Sequence, residues 1–179
     1  VVEKEAAVGG HAARLACKAL DRCVKCGACL AAQTVATASA HPCILLHTDS
    51  AQSAGKLSLN VDELGVDLLT LAGHKFYAPK GVGALYVRTG TSVRPVLQGA
   101  DQEHGLRPGT ENVAGIVALG AAAALAKRSL PAASDHLRAV RDHLHQHLLA
   151  AIPDLCLNGH PEHRLPNTLH VSFPGVSGR

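Results

Sequence analysis

The chain has 179 residues, enough for one domain with a respectable core or one domain plus a fragment. Its apolar supply is mostly Ala, Val and Leu, with two Phe, two Tyr and no Trp or Met, so a core built from it leans on a partner or cofactor more than usual. The net charge is +3 with His neutral, and the basic residues are scattered rather than gathered with aromatics, which argues against nucleic-acid binding and leaves small acidic molecules open as ligands.

No run approaches the roughly 18 uninterrupted apolar residues of a membrane span, and Val1-Val2-Glu3-Lys4-Glu5 does not read as a signal peptide. The expectation is a cytoplasmic protein without membrane or nucleic-acid partners. In that compartment the six cysteines are expected to be metal ligands, reactive thiols or core residues, not a disulfide framework.

In chain order, residues 1–43 form an Ala- and Cys-containing segment of uncertain origin, in which Ala6 to Leu20 is a candidate helix weakened at its start by Gly9-Gly10. Residues 44–130 alternate apolar runs with turns, as a buried parallel sheet flanked by helices does. Strands are predicted at Ile44 to Thr48, Asp67 to Leu71 and Gly83 to Arg88, with a helical turn at Val61 to Leu64. Asn112 to Lys127 reads as an Ala-rich buried helix. In residues 131–179 a second, amphipathic helix is predicted from Ser134 to Ala151. Ser134 would be its N-cap, and Leu137, Val140, Leu144 and Leu148 its apolar face. A turn at Asn158-Gly159 and a strand from Thr168 to Phe173 follow.

Open parallel sheets bind ligands beyond the carboxyl ends of their strands. Two predicted strand ends carry reactive groups: His47-Thr48-Asp49-Ser50-Ala51-Gln52 and Ala72-Gly73-His74-Lys75. An acid and a lysine facing one pocket suit pyridoxal-phosphate chemistry. The lysine amine holds the cofactor aldehyde, and the carboxylate keeps the pyridine nitrogen protonated and the ring electron-withdrawing. Taken singly, the lysine reads as a surface charge and the aspartate as a cap.

Taken together with Gly73-His74-Lys75-Phe76-Tyr77-Ala78-Pro79-Lys80-Gly81-Val82-Gly83-Ala84-Leu85-Tyr86-Val87-Arg88 and Arg107-Pro108-Gly109-Thr110-Glu111-Asn112, these segments resemble the class V aminotransferase family. Within it the resemblance is to cysteine desulfurases and selenocysteine lyases, and it runs from about Ile44 to Phe173. It implies an α/β, fold-type I pyridoxal-phosphate-dependent transferase. Residues 44–130 would be part of the large domain, and residues 131–179 the truncated start of the small C-terminal domain.

Carried over by position, the resemblance implies that Lys75 is the catalytic Schiff-base lysine and that Asp49 pairs with the pyridinium nitrogen. Gln52 would bond the cofactor's phenolic oxygen and His74 its phosphate. Thr110 would reach the phosphate of a neighbouring subunit, so a homodimer is implied. The implied reaction cleaves the C–S or C–Se bond of cysteine or selenocysteine to give alanine, with a protein as sulfur acceptor. Ala72, where many desulfurases have Ser, tilts the resemblance towards the selenocysteine lyases.

The family's phosphate-binding glycine/threonine loop, its ring-stacking His, its nucleophilic cysteine loop and its substrate arginine have no counterpart in the matched residues. The chain by itself is therefore expected to be a partial copy with little or no turnover. Cys156 does not match the nucleophile and reads as an ordinary buried thiol.

Separately, Cys23, Cys26 and Cys29 have the C-x2-C-x2-C spacing of an iron–sulfur ligand run, with Gln33 where a fourth cysteine is expected. Zinc is a further candidate for the same thiolates. A non-catalytic metal-binding module is thus the alternative to the enzyme reading.

Overall fold

The computed structural model describes residues 45–176. Strand β1 (His47–Asp49) pairs in parallel with β2 (Leu68–Ala72), with Asp49 opposite Thr70. Between them lies the short helix α1 (Val61–Leu64), whose N-cap Asn60 accepts a hydrogen bond from the Asp62 amide and whose end is closed by left-handed Gly65. Strand β3 (Gly83–Val87) runs antiparallel to β2, with Ala72 opposite Gly83 and Leu68 opposite Val87.

The three-stranded sheet is therefore mixed, in the order β1-β2-β3, and not wholly parallel. Chain length explains the difference. Residues 73–82 double back with only one 3-10 turn, and a parallel crossover needs a dozen residues or more, usually a helix.

Arg88 fastens the base of the sheet. Its Nε donates to the Val66 carbonyl at 2.9 Å, Nη2 to the Val61 carbonyl at 2.8 Å, and Nη1 to Asp62 Oδ1 at 2.8 Å. On the opposite side of α1, Asp67 Oδ2 accepts from the Leu46 amide at 2.8 Å. Both loops around α1 are thus tied to the sheet through groups that would otherwise lack partners.

A single helix, α2 (Val113–Ala151), replaces the two helices expected from sequence and passes through Pro131. Its N-cap is Asn112, whose side chain accepts from the Gly115 amide at 3.0 Å, and Ser134 lies well inside. Proline removes one helical hydrogen bond, but the Ala-, Leu- and Arg-rich stretches on both sides favour helix strongly enough to carry it across.

By length and composition α2 is apolar enough to cross a membrane. Its row Leu119, Ala122 and Ala126 packs on the sheet domain, around the cluster of buried Ala54, Phe76, Ala78 and Ala122. Val113, Ile116, Val117 and Leu125 are exposed, so the expectation of a fully buried helix is not met.

In its second half the expected apolar face is rotated. Val140 and Leu144 are exposed, while Arg141 is buried and donates to the Leu165 carbonyl at 3.1 Å and to Asp142 at 2.8 Å. The segment carrying Leu165 and fully buried Pro166 covers that side. Strands β4 (Cys156–Leu157) and β5 (Val171–Ser172) form a two-stranded antiparallel sheet, shorter than the strand predicted over Thr168 to Phe173. Cys156 is exposed, not the buried thiol expected.

Candidate active site

The residues of β1 alternate between exposed and buried, so Thr48 and Ser50 face the core and His47 and Asp49 face away from it. Parallel pairing puts Thr70 of β2 beside Asp49, and the His47 Nε2 meets Thr70 Oγ1 at 3.2 Å on that face. The ladder extends one step past β1, where the Ser50 amide donates to the Thr70 carbonyl at 2.9 Å. Beyond that point the chain turns, and the Ala51 amide donates to Asp49 Oδ1 at 2.8 Å. Asp49 is thus a turn cap as well as a strand-end acid. Its second oxygen has no hydrogen-bond partner among the described residues.

Lys75 sits in a 3-10 turn (Gly73–Phe76) that begins directly after β2. The turn is fixed by Phe76, buried in the Ala54 and Ala122 cluster, while His74 and Lys75 on the same turn are exposed. Gly73 admits no side chain. A Cβ there would lie 2.8 Å from the Val82 carbonyl oxygen and 3.0 Å from both Ala78 Cβ and Leu119 Cδ1, so α2 rests on the turn only because residue 73 is glycine. Tyr77 closes the turn in the left-handed region at φ 72°.

The parallel pairing of β1 and β2 therefore puts the segments carrying Asp49 and Gln52, and His74 and Lys75, after the carboxyl ends of neighbouring strands. Thr110 lies apart from them in sequence, exposed in the loop preceding α2. Cys23, Cys26 and Cys29 fall outside the described residues. Among the described residues no group of three or more His, Cys, Asp or Glu side chains is arranged to hold a metal ion.

Lys56 was not singled out from sequence. Its Nζ donates to the Gln52 carbonyl at 2.9 Å, and burial, followed by the charge of Lys75, lowers its pKa. The only signal in the sequence is the four-residue spacing of Gln52 and Lys56, which many turns share.

The profile of the aminotransferase class-V family matches residues 25–179, most of the chain. The chain belongs to that family. This class V chain is 45% identical over 146 residues to a cysteine desulfurase of Gluconacetobacter diazotrophicus, covering 82% of itself and 36% of that protein. It is 43% identical over 135 residues to the cysteine desulfurase NifS of Azotobacter vinelandii, covering 75% of itself and 34% of NifS. Among solved structures, a NifS-like protein superposes with a TM-score of 0.68 at 40% identity, over 74% of this chain and 36% of that one. DndA from Streptomyces lividans superposes at 0.67 with 32% identity, over 79% of this chain and 40% of its own.

The class V chain thus spans about a third of the length of these curated relatives. Its architecture is the α/β fold of pyridoxal-phosphate-dependent, fold-type I enzymes, over the part it covers.

The donor set fits the cofactor that the family implies. It offers an exposed amine, a carboxylate with one oxygen held by a backbone amide and the other open, a side-chain amide and an imidazole. No hydrogen bond or ion pair within the described residues occupies the side chains of Lys75, His74 or Gln52.

Proposed function

We propose that this chain provides the lysine-bearing part of a pyridoxal-phosphate-dependent cysteine desulfurase, acting on the C–S bond of cysteine or its selenium counterpart to give alanine. The observation that supports this most directly is the parallel β1–β2 pair, which delivers Asp49 and the Lys75 turn to adjacent strand ends. When bound, the cofactor supplies a ring that withdraws electrons from the substrate's α-carbon.

The chain's own residues bind and orient. Lys75 Nζ is the amine for the cofactor aldehyde. The open oxygen of Asp49 accepts the pyridine N–H, and the Ala51 amide on the other oxygen fixes the carboxylate's plane. Gln52 donates to the phenolic oxygen and His74 to the phosphate. His47, bonded to Thr70, lines the same face of the sheet. Thr110 reaches the phosphate of a second subunit, which makes the assembly a homodimer. A sulfur-accepting protein completes the reaction.

The test is incubation with pyridoxal phosphate and borohydride, followed by peptide mapping. Label on the Lys75 peptide, lost in Lys75→Ala, is the expected result, and an unlabelled Lys75 would sink the reading.

A second proposal concerns Cys23, Cys26 and Cys29, whose spacing suits an iron–sulfur ligand run. A broad brown absorbance lost in Cys26→Ser is its expected signature.

A further inference from the structure

The second half of α2 carries histidines that the function proposed above does not use: His136, His143, His145 and His147. Two of them meet. His143 and His147 are four residues apart, a spacing that puts both side chains on one face of a helix, one turn from each other. Their ring centroids lie 4.3 Å apart in an edge-on arrangement, with 66° between the planes. Both residues are exposed, and no hydrogen bond or ion pair within the described residues occupies either imidazole. His145, between them in the chain, faces a different side of the helix.

A second histidine pair supplies the contrast. The rings of His160 and His163 are also 4.3 Å apart, but His160 Nδ1 accepts the amides of Glu162 at 3.1 Å and of His163 at 2.9 Å. The one lone pair of that neutral ring is spent on the turn. The neutral rings of His143 and His147 each keep theirs for a cation.

We propose that His143 and His147 form a two-imidazole chelate for a borderline divalent transition-metal cation, of the class of Ni2+, Cu2+ and Zn2+. Imidazole suits these ions, whereas Mg2+ and Ca2+ select oxygen donors. With each nitrogen about 2.0–2.1 Å from the ion, the centroids would stand roughly 5 Å apart, so the pair closes on an ion with a shift of under about 1 Å. The second imidazole binds as an intramolecular ligand, which is why two rings held on one face outbind either alone. One turn to either side the helix offers Ala139, Val140, Ala150 and Ala151, none of which has a donor side chain. The protein therefore supplies two ligands and water the others. A bound ion ties together one turn of α2 in the half that follows Pro131.

The site is separate from the cofactor-binding residues, and so is its test. The full chain, without an affinity tag, is equilibrated at pH 7.5 with buffered free Ni2+ and treated briefly with diethyl pyrocarbonate. Carbethoxylation of each histidine is read by peptide mass. Ion held by cysteines does not enter a readout resolved histidine by histidine. His104 and His136, both exposed, serve as single-imidazole references.

His143 and His147 are expected to be protected together, at one shared midpoint at least about tenfold below that of either reference. Mg2+ is expected to protect neither. His147→Ala should raise the His143 midpoint to that of the references, and His143→Ala should do the same to His147. Alanine is the best helix former and both positions are exposed, so α2 is retained in these variants, which circular dichroism verifies. Separate midpoints for the two rings, a midpoint no lower than the references, protection by Mg2+, or His143 protection that survives His147→Ala unchanged would overturn the proposal.

Discussion

Asp49 serves two purposes through its two oxygens, and this separates its structural role from its chemical one. Oδ1 accepts the Ala51 amide, as a turn cap does, and the other oxygen is open to a ligand. Asn at this position retains the acceptor for Ala51 but loses the charge. Asp49→Asn is therefore expected to leave the thermal unfolding midpoint unchanged and to weaken pyridoxal phosphate binding about tenfold, roughly 1.4 kcal/mol, in an absorbance titration.

Lys56 makes the complementary case at the same scale. Its folded-state pKa is lowered from 10.5. Below that folded value both states are protonated and the folded chain bears the whole penalty of a crowded, partly desolvated charge. As pH rises from there towards 10.5, the folded state sheds its proton before the unfolded state does, so stability rises with pH. Denaturant midpoints measured across alkaline pH should climb in the wild type relative to Lys56→Gln. Parallel pH profiles for the two would contradict the assignment.

Among elements, the 3-10 turn after β2 depends on what covers it. Gly73 is enclosed by the Val82 carbonyl, Ala78 and Leu119, and the first of these is backbone that cannot rotate away. Gly73→Ala is expected to destabilise the fold by about 1–3 kcal/mol in chemical denaturation and to displace the Lys75 turn. The opposite sign is expected within α2. Pro131 lies inside a continuous helix and lacks the amide that the helix uses. Pro131→Ala should stabilise the chain, by up to about 3 kcal/mol, measured the same way.

These two elements also show what could be read in advance. The strand ends, the Lys75 loop and the acid at β1 were legible because their residue types mark them: short apolar runs followed by His, Asp, Gln, Gly and Lys. The union of two expected helices into α2 was not legible. Proline and Ser134 are local stop and start signals, and whether they are obeyed depends on packing on both sides. The rotation of the second half of α2 was hidden for a related reason. Arg141 is buried because the segment bearing Leu165 offers it a carbonyl, a partner 24 residues away in the chain.

For the whole molecule, the match to class V relatives extends over 75–82% of this chain but only 34–36% of theirs. Exposed apolar residues border the described fold, among them Tyr77 and Val96 at 95% exposure and Val117 at 67%. Apolar surface of this kind favours association. If the proposed homodimer with Thr110 at a shared site is right, sedimentation should give a dimer, and Thr110→Val should weaken pyridoxal phosphate binding while leaving pyridoxal, which lacks the phosphate, unaffected.

The sequence by itself determined the family, because His47 to Gln52, Gly73 to Arg88 and Arg107 to Asn112 carry its resemblance in order along the chain. Only the tertiary structure decided which groups are neighbours. Strand direction, the reversal between β2 and β3, and the close approach of Gly55 to Phe76 follow from contacts between residues distant in the chain, and it is these that place the Lys75 turn beside the strand bearing Asp49 and under α2.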